Sequence, residues 1–417
     1  MKKNIHSQEW TCRRYPKNGH GALRALLKKH APLWGGNLGL IRGVEHRIRV
    51  KPGAVPVRQH PYKAGPLARE REKAEVERMR SLGDIEPSTG EWASLVVMVP
   101  KPDGSVRFCI EYRNLNLMTV KDASSIPRMH DCIDSLEDAR VFSTLDCNAG
   151  YWQILVAEED KHLTAFTCHL GARKCVRLPF GLCTAPATFQ RAMNMILAGV
   201  KWKICVVYLD DVIVFSCSSE EHLQHLDEVL IRLGKAGVTL KAAKCPFFQK
   251  EVEYLGHVIK PGRVHVLEKN LRALRGLRYP ETHTQMKSFL GTCGVYGRFV
   301  ADFAKIAKRL TALTSTKLPK RLPPPREEET KAFEELRGRL LAAPILALPR
   351  RDGHYIVDVD VSYEQLGCCL QQQQRDGEYH PISYYSRALL PSEKNYFATD
   401  IEALGVLRAV TYLRSYL

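Results

Sequence analysis

Residues Lys203 to Ser216 read KICVVYLDDVIVFS, and this stretch decides the fold of the region around it. Apolar residues fill most of it, and Asp210 and Asp211 stand side by side near its centre. Two apolar runs joined by a short polar centre predict a β-hairpin that turns at the aspartates. Taken alone, the pattern leaves two interpretations open: the aspartates only form the turn, or they are functional carboxylates at a sheet edge.

A third carboxylate ends another β-branched run. The segment VFSTLD at 141–146 predicts a neighbouring strand whose last residue is Asp146. Three carboxylates that converge on one sheet edge repel each other unless divalent cations lie between them. Hard oxygen ligands select Mg²⁺ or Mn²⁺, and two such ions can hold the attacking and leaving oxygens of a phosphoryl displacement. The third carboxylate therefore favours a metal site over simple turn formation.

The composition indicates a globular chain of several domains. The chain has 417 residues, of which 45% are hydrophobic and 26% are charged. Because it lacks a run of eighteen apolar residues and a leader-like apolar segment, we expect no membrane span and an intracellular location, cytoplasmic or nuclear. The 13 cysteines show no C-x-x-C spacing, which predicts free thiols. His222 and His225 share a helical face, and we interpret them as ordinary surface histidines.

Positive charge is concentrated in two regions. The net charge is +17; residues 1–63 hold 14 Lys or Arg against 2 Asp or Glu, and residues 263–323 hold 13 against 3. Two basic regions around a mildly acidic centre are typical of a protein that grips a polyanion and does chemistry on it. Solvated surface charge is the simpler alternative.

Strand and helix signals alternate irregularly along the chain. They predict a hairpin from 95–99 and 106–112, and helices at 66–82, 129–136, 185–197 and 220–235, the last closed by Gly237. This order predicts an α+β fold in which an antiparallel sheet packs on helices. A segment rich in proline and charge, LPKRLPPPREEE at 318–329, predicts a linker to a last small domain.

Five blocks of sequence resemble one known family in order and spacing. They are PSTGEWASLVVMVPKPDGSVRFCIEYRNLN at 87–116, TLDCNAGYWQI at 144–154, RLPFGLCTAPATFQRAMN at 177–194, YLDD at 208–211 and YLGHVI at 254–259. Together with YIVDVDVS at 355–362, they resemble the reverse transcriptase of gypsy-type LTR retrotransposon Pol polyproteins. The resemblance covers roughly residues 40–417.

The resemblance implies a right-hand polymerase of fingers, palm and thumb, with a helical connection and a truncated RNase H-like α/β domain. Its expected segments are a basic N-terminal arm at 1–63, fingers and palm at 64–262, thumb and connection at 263–325, and a partial RNase H-like domain at 326–417. The implied activity is RNA-directed DNA polymerisation by two-metal nucleotidyl transfer. A catalytically silent, nucleic-acid-binding relic of a retroelement is the alternative.

The resemblance also implies roles for individual residues. Asp146, Asp210 and Asp211 match the palm carboxylates that hold two Mg²⁺ or Mn²⁺ ions. The nucleotide-binding positions of the family are matched by Lys101, Arg107, Tyr151 and Phe180, and its primer grip by Leu255 and Gly256. Asp360 and Glu402 match the first two acidic positions of the RNase H site.

Simpler explanations exist for several of these positions. Lys101 and Arg107 are also explained as solvated charge beside a hairpin turn, and Tyr151 as a core tyrosine. Glu111 stands where the family usually has Asp, and Asp358 is interpreted as a variable strand residue.

The implied partners are an RNA or DNA primer-template and deoxynucleoside triphosphates, with no membrane partner and with the oligomeric state left open. Because only Asp360 and Glu402 match the RNase H site before Leu417, we expect RNase H activity to be lost.

Overall fold

The structure, a computed structural model, describes residues 20–61, 65–100, 106–124, 126–315 and 318–417. The described residues fall into two units. Unit 1 contains those up to Cys132 together with Val141–Gln249, and unit 2 contains Ile133–Arg140 together with Lys250–Leu417. The predicted boundary at residue 262 thus falls inside unit 2.

The elements of both units are numbered in chain order. The α-helices are α1 (His20–Lys29), α2 (Pro66–Ser81), α3 (Arg113–Met118), α4 (Met129–Asp134), α5 (Ala185–Ile196), α6 (Ser219–Ala236), α7 (Glu268–Arg275), α8 (His283–Val295), α9 (Phe303–Ala312), α10 (Glu327–Leu341) and α11 (Ala398–Leu413). The strands are β1 (Glu45–His46), β2 (Ile85–Pro87), β3 (Ser94–Pro100), β4 (Val106–Glu111), β5 (Val141–Asp146), β6 (Leu155–Val156), β7 (Phe166–Cys168), β8 (Gly171–Cys175), β9 (Cys205–Tyr208), β10 (Asp211–Ser216), β11 (Val252–Tyr254), β12 (His257–Lys260), β13 (Arg263–Val266), β14 (Leu346–Ala347), β15 (Tyr355–Val361), β16 (Gln365–Gln373) and β17 (Tyr379–Ala388).

A three-stranded antiparallel sheet, in the order β5-β10-β9, forms the centre of unit 1. Strands β9 and β10 read as nearly continuous apolar runs rather than as alternating ones, which is typical of strands covered on both faces. Val207, Val212 and Val214 are fully buried. Helices α5 and α6 pack against the sheet. The predicted hairpin at the paired aspartates is therefore confirmed.

A second sheet of unit 1 has the order β2-β8-β7-β3-β4. Strands β3 and β4 pair antiparallel from Leu95↔Glu111 to Pro100↔Val106, as the sequence predicts for a hairpin. The segment between them, at 101–105, lies outside the described residues.

The two ends of helix α6 form as the sequence predicts. Ser218 accepts a hydrogen bond from Glu221 N at the start of the helix, and Gly237 ends it with a φ of 81°.

The N-terminal region differs from the predicted extended arm where the structure describes it. Leu23 and Leu27 of α1 are buried, and so are Leu33 and Trp34 in the 3₁₀ turn that follows. All four belong to the hydrophobic core of unit 1. The basic residues between these apolar positions gave the segment its arm-like composition, but the helical spacing of Leu23 and Leu27 places them on one buried face.

The interpretation of His222 as a surface residue is wrong. His222 is fully buried on α6, where its Nε2 is 2.8 Å from Ser143 Oγ and its Nδ1 is 2.9 Å from Ser216 Oγ. Burial, followed by the charge of the nearby His225, lowers the pKa of this imidazole to about 3. The ring is therefore a neutral hydrogen-bonding group that joins α6 to strands β5 and β10.

Unit 2 is built from two antiparallel sheets and several helices. One sheet has the order β11-β12-β13-β14 and the other the order β15-β16-β17. Helix α11 packs on β15 at Gly405, where an added Cβ would lie 2.4 Å from Val361 Cγ2. Arg298 is buried and pairs with Asp134 at 3.1 Å, which ties the segment Ile133–Arg140 to the rest of the unit.

Within the described ranges, the structure contains no helix with the length and apolar character needed to cross a membrane.

Candidate active site

Two of the predicted carboxylates lie opposite each other on neighbouring strands of the central sheet of unit 1. Asp211 begins β10 and Asp146 ends β5, and the antiparallel register pairs them directly. Directly opposite residues have their Cβ atoms about 5 Å apart, so two carboxylates in these positions repel each other. The structure therefore brings together two residues that are 65 positions apart in the sequence, as the strand pattern predicts.

Asp210 lies in the two-residue turn between β9 and β10, after Leu209. Leu209 has a φ of 54°, a left-handed conformation that turns of this kind usually give to glycine. The Oδ1 atom of Asp210 is buried and has no hydrogen-bond partner among the described residues. It lies 2.9 Å from the position of an added Cβ at Gly150, so a larger residue at position 150 would displace this carboxylate oxygen. The turn therefore directs this carboxylate into the protein, where it lies beside the backbone of Gly150.

The pKa values of the turn carboxylates are displaced by this environment. Burial, followed by the charges of Asp211 and Asp146, raises the pKa of Asp210 to about 6. Loss of hydration and the charge of Asp146 raise the pKa of Asp211. The site thus disfavours the charged form of both groups and would gain from a bound cation.

One cationic side chain already contacts the cluster. Lys244 Nζ lies 3.0 Å from Asp146 Oδ2, and the Lys244 charge lowers the pKa of both Asp210 and Asp211. Across the described part of the chain, no three His, Cys, Asp or Glu side chains converge closely enough to form a ready-made metal site. The donor set still fits a hard divalent cation, because it offers carboxylate oxygens and one of them, Asp210 Oδ1, is buried without a partner.

An aromatic group borders the carboxylates. Tyr151 lies in the 3₁₀ turn Gly150–Gln153, and its ring centroid is 5.2 Å from that of Phe180 and 5.6 Å from that of Phe189. Burial and the charge of Asp210 raise the pKa of Tyr151, which keeps the phenol neutral. Phe180 is 40% exposed. The two predicted aromatic residues therefore lie in contact, with Tyr151 close to the carboxylates and Phe180 facing solvent.

One further nucleotide-binding candidate is on the second sheet of unit 1. Arg107 lies on β4, opposite Val99, with its side chain exposed. Lys101 lies outside the described residues.

The predicted primer-grip residues form a tight turn in unit 2. Leu255 and Gly256 connect β11 to β12 and both have positive φ, 48° and 79°. Tyr296 Oη donates a hydrogen bond to Gly256 O at 2.8 Å and packs over the turn. An added Cβ at Gly256 would lie 3.2 Å from that hydroxyl, so the position requires glycine on two grounds.

The two candidate RNase H residues are on different elements of unit 2. Strand alternation puts Asp358 and Asp360 on the exposed face of β15, whereas Val359 and Val361 face Gly405 of α11. Glu402 is an exposed residue of α11. A joint role of Asp360 and Glu402 in one metal site stays a prediction.

Sequence reasoning missed two side-chain amides that shape the site. Gln190 Oε1 accepts a hydrogen bond from Leu209 N at 2.8 Å. Asn116 donates to Gly181 O at 2.8 Å and accepts from Cys183 N at 2.9 Å, which fixes the turn that carries Phe180. Both residues stand inside the motif blocks quoted above, but only the three-dimensional contacts show which backbone groups they bind.

Comparison with known proteins matches two parts of the chain to families. Residues 99–259 match a family described as reverse transcriptase (RNA-dependent DNA polymerase), and residues 326–417 match the RNase H-like domain found in reverse transcriptases. Together these ranges take in more than half of the chain.

Curated relatives are polyproteins of mobile elements. The chain is 36% identical over 360 residues to the retrovirus-related Pol polyprotein from transposon 297 of Drosophila melanogaster, which covers 84% of this chain and 33% of that protein. It is 34% identical to the corresponding polyprotein from transposon opus, also of Drosophila melanogaster, covering 82% of this chain and 35% of that protein. The chain spans about a third of the length of these relatives.

Solved structures of similar fold come from a foamy virus. The protease-reverse transcriptase in complex with RNA/DNA hybrid superposes with a TM-score of 0.81 over 96% of this chain and 54% of that one, at 22% identity. The dRH form in complex with double-stranded DNA gives 0.85, over 97% of this chain and 70% of that one, also at 22% identity. The predicted α+β reverse-transcriptase fold with an RNase H-like domain is confirmed. The chain belongs to the reverse transcriptases of retrotransposon and retrovirus-related Pol polyproteins.

Proposed function

We propose that this chain is an RNA-directed DNA polymerase that adds deoxynucleotides to a primer 3′-hydroxyl. The observation that carries the proposal is the cluster of Asp146, Asp210 and Asp211 at one sheet edge, inside the part of the chain that matches the reverse transcriptase family. A buried carboxylate oxygen without a partner and two raised carboxylate pKa values support a site that takes up positive charge.

Asp146, Asp210 and Asp211 would hold two Mg²⁺ or Mn²⁺ ions. When bound, two such ions favour ionisation of the attacking hydroxyl and offset the charge of the leaving pyrophosphate. The hairpin fixes the separation of the carboxylates, because Asp211 is locked in register with Asp146 and Asp210 is held in the adjacent turn. Lys244 offsets part of the negative charge at Asp146.

Residues around the carboxylates would select the nucleotide. The Tyr151 ring, held by Phe180 and Phe189, would stand as a wall against a ribose 2′-hydroxyl and so favour deoxynucleotides. Phe180 has an exposed ring surface available for packing against a base or the template. Arg107 and Lys101 are assigned to the triphosphate, where cationic donors stabilise charge that develops during transfer.

A primer-template is the proposed macromolecular partner. The similar foamy virus structures are complexes with RNA/DNA hybrid and with double-stranded DNA. The basic segment 263–323 offers Lys and Arg side chains for phosphate contacts that do not depend on base sequence. The turn at Leu255 and Gly256 is assigned to the primer backbone. In this assignment, residues 64–262 supply fingers and palm, residues 263–325 thumb and connection, and residues 326–417 the RNase H-like domain.

The test is primer extension on poly(rA)/oligo(dT) with Mg²⁺. We expect extension by the wild-type chain and loss of extension in Asp210→Asn, because the variant removes one of the three carboxylates that would hold the ions. Asp376→Asn, which changes an exposed aspartate of unit 2 in the same way, is the control and should extend normally. Near-normal extension by Asp210→Asn would contradict the assignment of the site.

A catalytically silent nucleic-acid-binding protein is the second candidate. It is favoured by the Asp146–Lys244 ion pair, which satisfies one carboxylate without a metal. Binding of the primer-template without any extension, in both Mg²⁺ and Mn²⁺, would support this candidate over the polymerase.

A further inference from the structure

Gln190 is a buried polar residue that the proposed chemistry does not use. It lies on α5, and 2% of its surface is exposed. Its Oε1 accepts a hydrogen bond from Leu209 N at 2.8 Å. This amide group belongs to the turn that carries Asp210, so Gln190 connects the helix directly to the candidate catalytic hairpin.

The orientation of the Gln190 amide is fixed at both ends. Its Nε2 donates to Asn194 Oδ1 at 3.0 Å and to Val207 O at 3.3 Å. A flipped amide would place its NH₂ group against the Leu209 N–H and its oxygen against the Val207 carbonyl, so only one orientation satisfies all three contacts. Gln190 therefore bonds to β9 on one side of the turn and to Leu209 within it.

The bonded turn has a backbone conformation that its sequence disfavours. Leu209 has a φ of 54°, whereas leucine prefers negative φ. An amide oxygen that accepts from Leu209 N stabilises this conformation at the residue just before Asp210. A glutamate in this place would add a fourth carboxylate near the three aspartates, whereas glutamine accepts the bond without a charge.

We propose that Gln190 is a positioning residue, which holds the turn so that the Asp210 carboxylate stays in its inward place beside Gly150. This inference rests on the proposed function, because it assigns Gln190 to the metal affinity of that site. A carboxylate held by an otherwise disfavoured turn loses its place when the holding bond is removed. Metal affinity and the rate of transfer should then fall together, while binding of the primer-template is retained.

The experiment compares Gln190→Met with the control Asn194→Ala. Methionine keeps the size of the side chain and removes the acceptor, whereas the control removes one partner of Gln190 and leaves the bond to Leu209. Mn²⁺ affinity is measured by thermal-shift titration without nucleotide, and kcat and KM for dTTP are measured by primer extension. We expect Gln190→Met to lose about tenfold or more in Mn²⁺ affinity and in kcat, since small displacements of catalytic groups have effects of this size. Asn194→Ala should stay within about twofold of the wild type in both.

A second substitution separates positioning from packing. Glycine adopts positive φ freely, so Leu209→Gly lowers the need for the holding bond. The loss of Mn²⁺ affinity caused by Gln190→Met should therefore be smaller in the Leu209→Gly background than in the wild type. An equal loss in both backgrounds, or an unchanged Mn²⁺ affinity in folded Gln190→Met, would overturn the proposal. Absence of extension by the wild-type chain would instead overturn the proposed function, and the Mn²⁺ titrations would still decide the role of Gln190.

Discussion

Replacement of Asp210 by Asn should make the metal-free protein more stable at neutral pH. The pKa of Asp210 is about 6 in the folded chain, against 3.8 for an ordinary aspartate, so ionising this group opposes folding. Each pKa unit corresponds to about 1.4 kcal/mol, which gives a ceiling of about 3 kcal/mol. Because Asp210 retains some solvent contact, screening reduces the expected gain to about 1–2 kcal/mol.

The pH dependence of this gain follows from the direction of the shift. Below pH 3.8 the carboxyl is protonated in both the folded and the unfolded chain and contributes nothing. As the pH rises from 3.8 to about 6, the unfolded chain releases its proton first, so folding stability is lost. The advantage of the Asn variant should therefore be absent at acidic pH, grow across this interval and stay constant above it.

Urea unfolding in EDTA at several pH values measures the effect, and the same series with Mg²⁺ tests its cause. A bound cation stabilises the wild type more than the variant, so Mg²⁺ should reduce or reverse the advantage of Asp210→Asn. Asp122→Asn is the matched control of opposite sign, because the hydrogen bond from Arg191 lowers the pKa of Asp122 to about 2. That variant should be destabilised above the usual aspartate pKa. Equal stability of Asp210→Asn and wild type at pH 8 in EDTA would refute the electrostatic reasoning.

Two further predictions concern the nucleotide wall and the core of unit 2. Tyr151→Ala should raise the ratio of ribo- to deoxynucleotide incorporation in primer extension while deoxynucleotides are still used, because the wall is shortened; an unchanged ratio would count against its role. Asp134→Ala should lower the free energy of unfolding by about 3–5 kcal/mol, because it leaves the buried guanidinium of Arg298 without its carboxylate. Glu327→Gln, which breaks an exposed ion pair, should cost less than about 1 kcal/mol in the same urea assay, and equal costs would show that burial of the Asp134 pair is unimportant.

Local sequence pattern was sufficient for the elements that carry the site. The hairpin at 203–216 could be predicted because its apolar runs are long enough for strands and its only central polar residues are two aspartates. The helix that closes at Gly237 could be predicted for a similar reason, since a glycine at a helix end marks a left-handed residue and Gly237 has a φ of 81°. These signals are local, so the sequence alone contains them.

Contacts between residues that are distant in the sequence could not be predicted from that local pattern. Basic residues far outnumber acidic ones in the first 63 positions and predicted an arm, although Leu23 and Leu27 pack into the core of unit 1. Segment Ile133–Arg140 belongs to unit 2, whereas the residues on both sides of it belong to unit 1. A periodicity of three or four residues cannot show that the chain passes from one unit to the other and back. The unit to which this segment belongs depends on partners more than a hundred positions away, such as Arg298 for Asp134.

The same limit explains why the sequence predicted the carboxylates of the site but not the residues that position them. Carboxylates that follow a strand can be recognised as a group, since strand ends meet at a sheet edge. The residues that set their geometry are of other kinds: Gly150 makes room for Asp210, Lys244 offsets the charge of Asp146, and Gln190 holds the turn. Glycine, lysine and glutamine are common throughout the chain, so residue type alone does not distinguish these positions from the rest. Their importance comes from the particular atoms that each of them contacts. Substitutions of these surrounding residues therefore test the site as directly as substitutions of the carboxylates themselves.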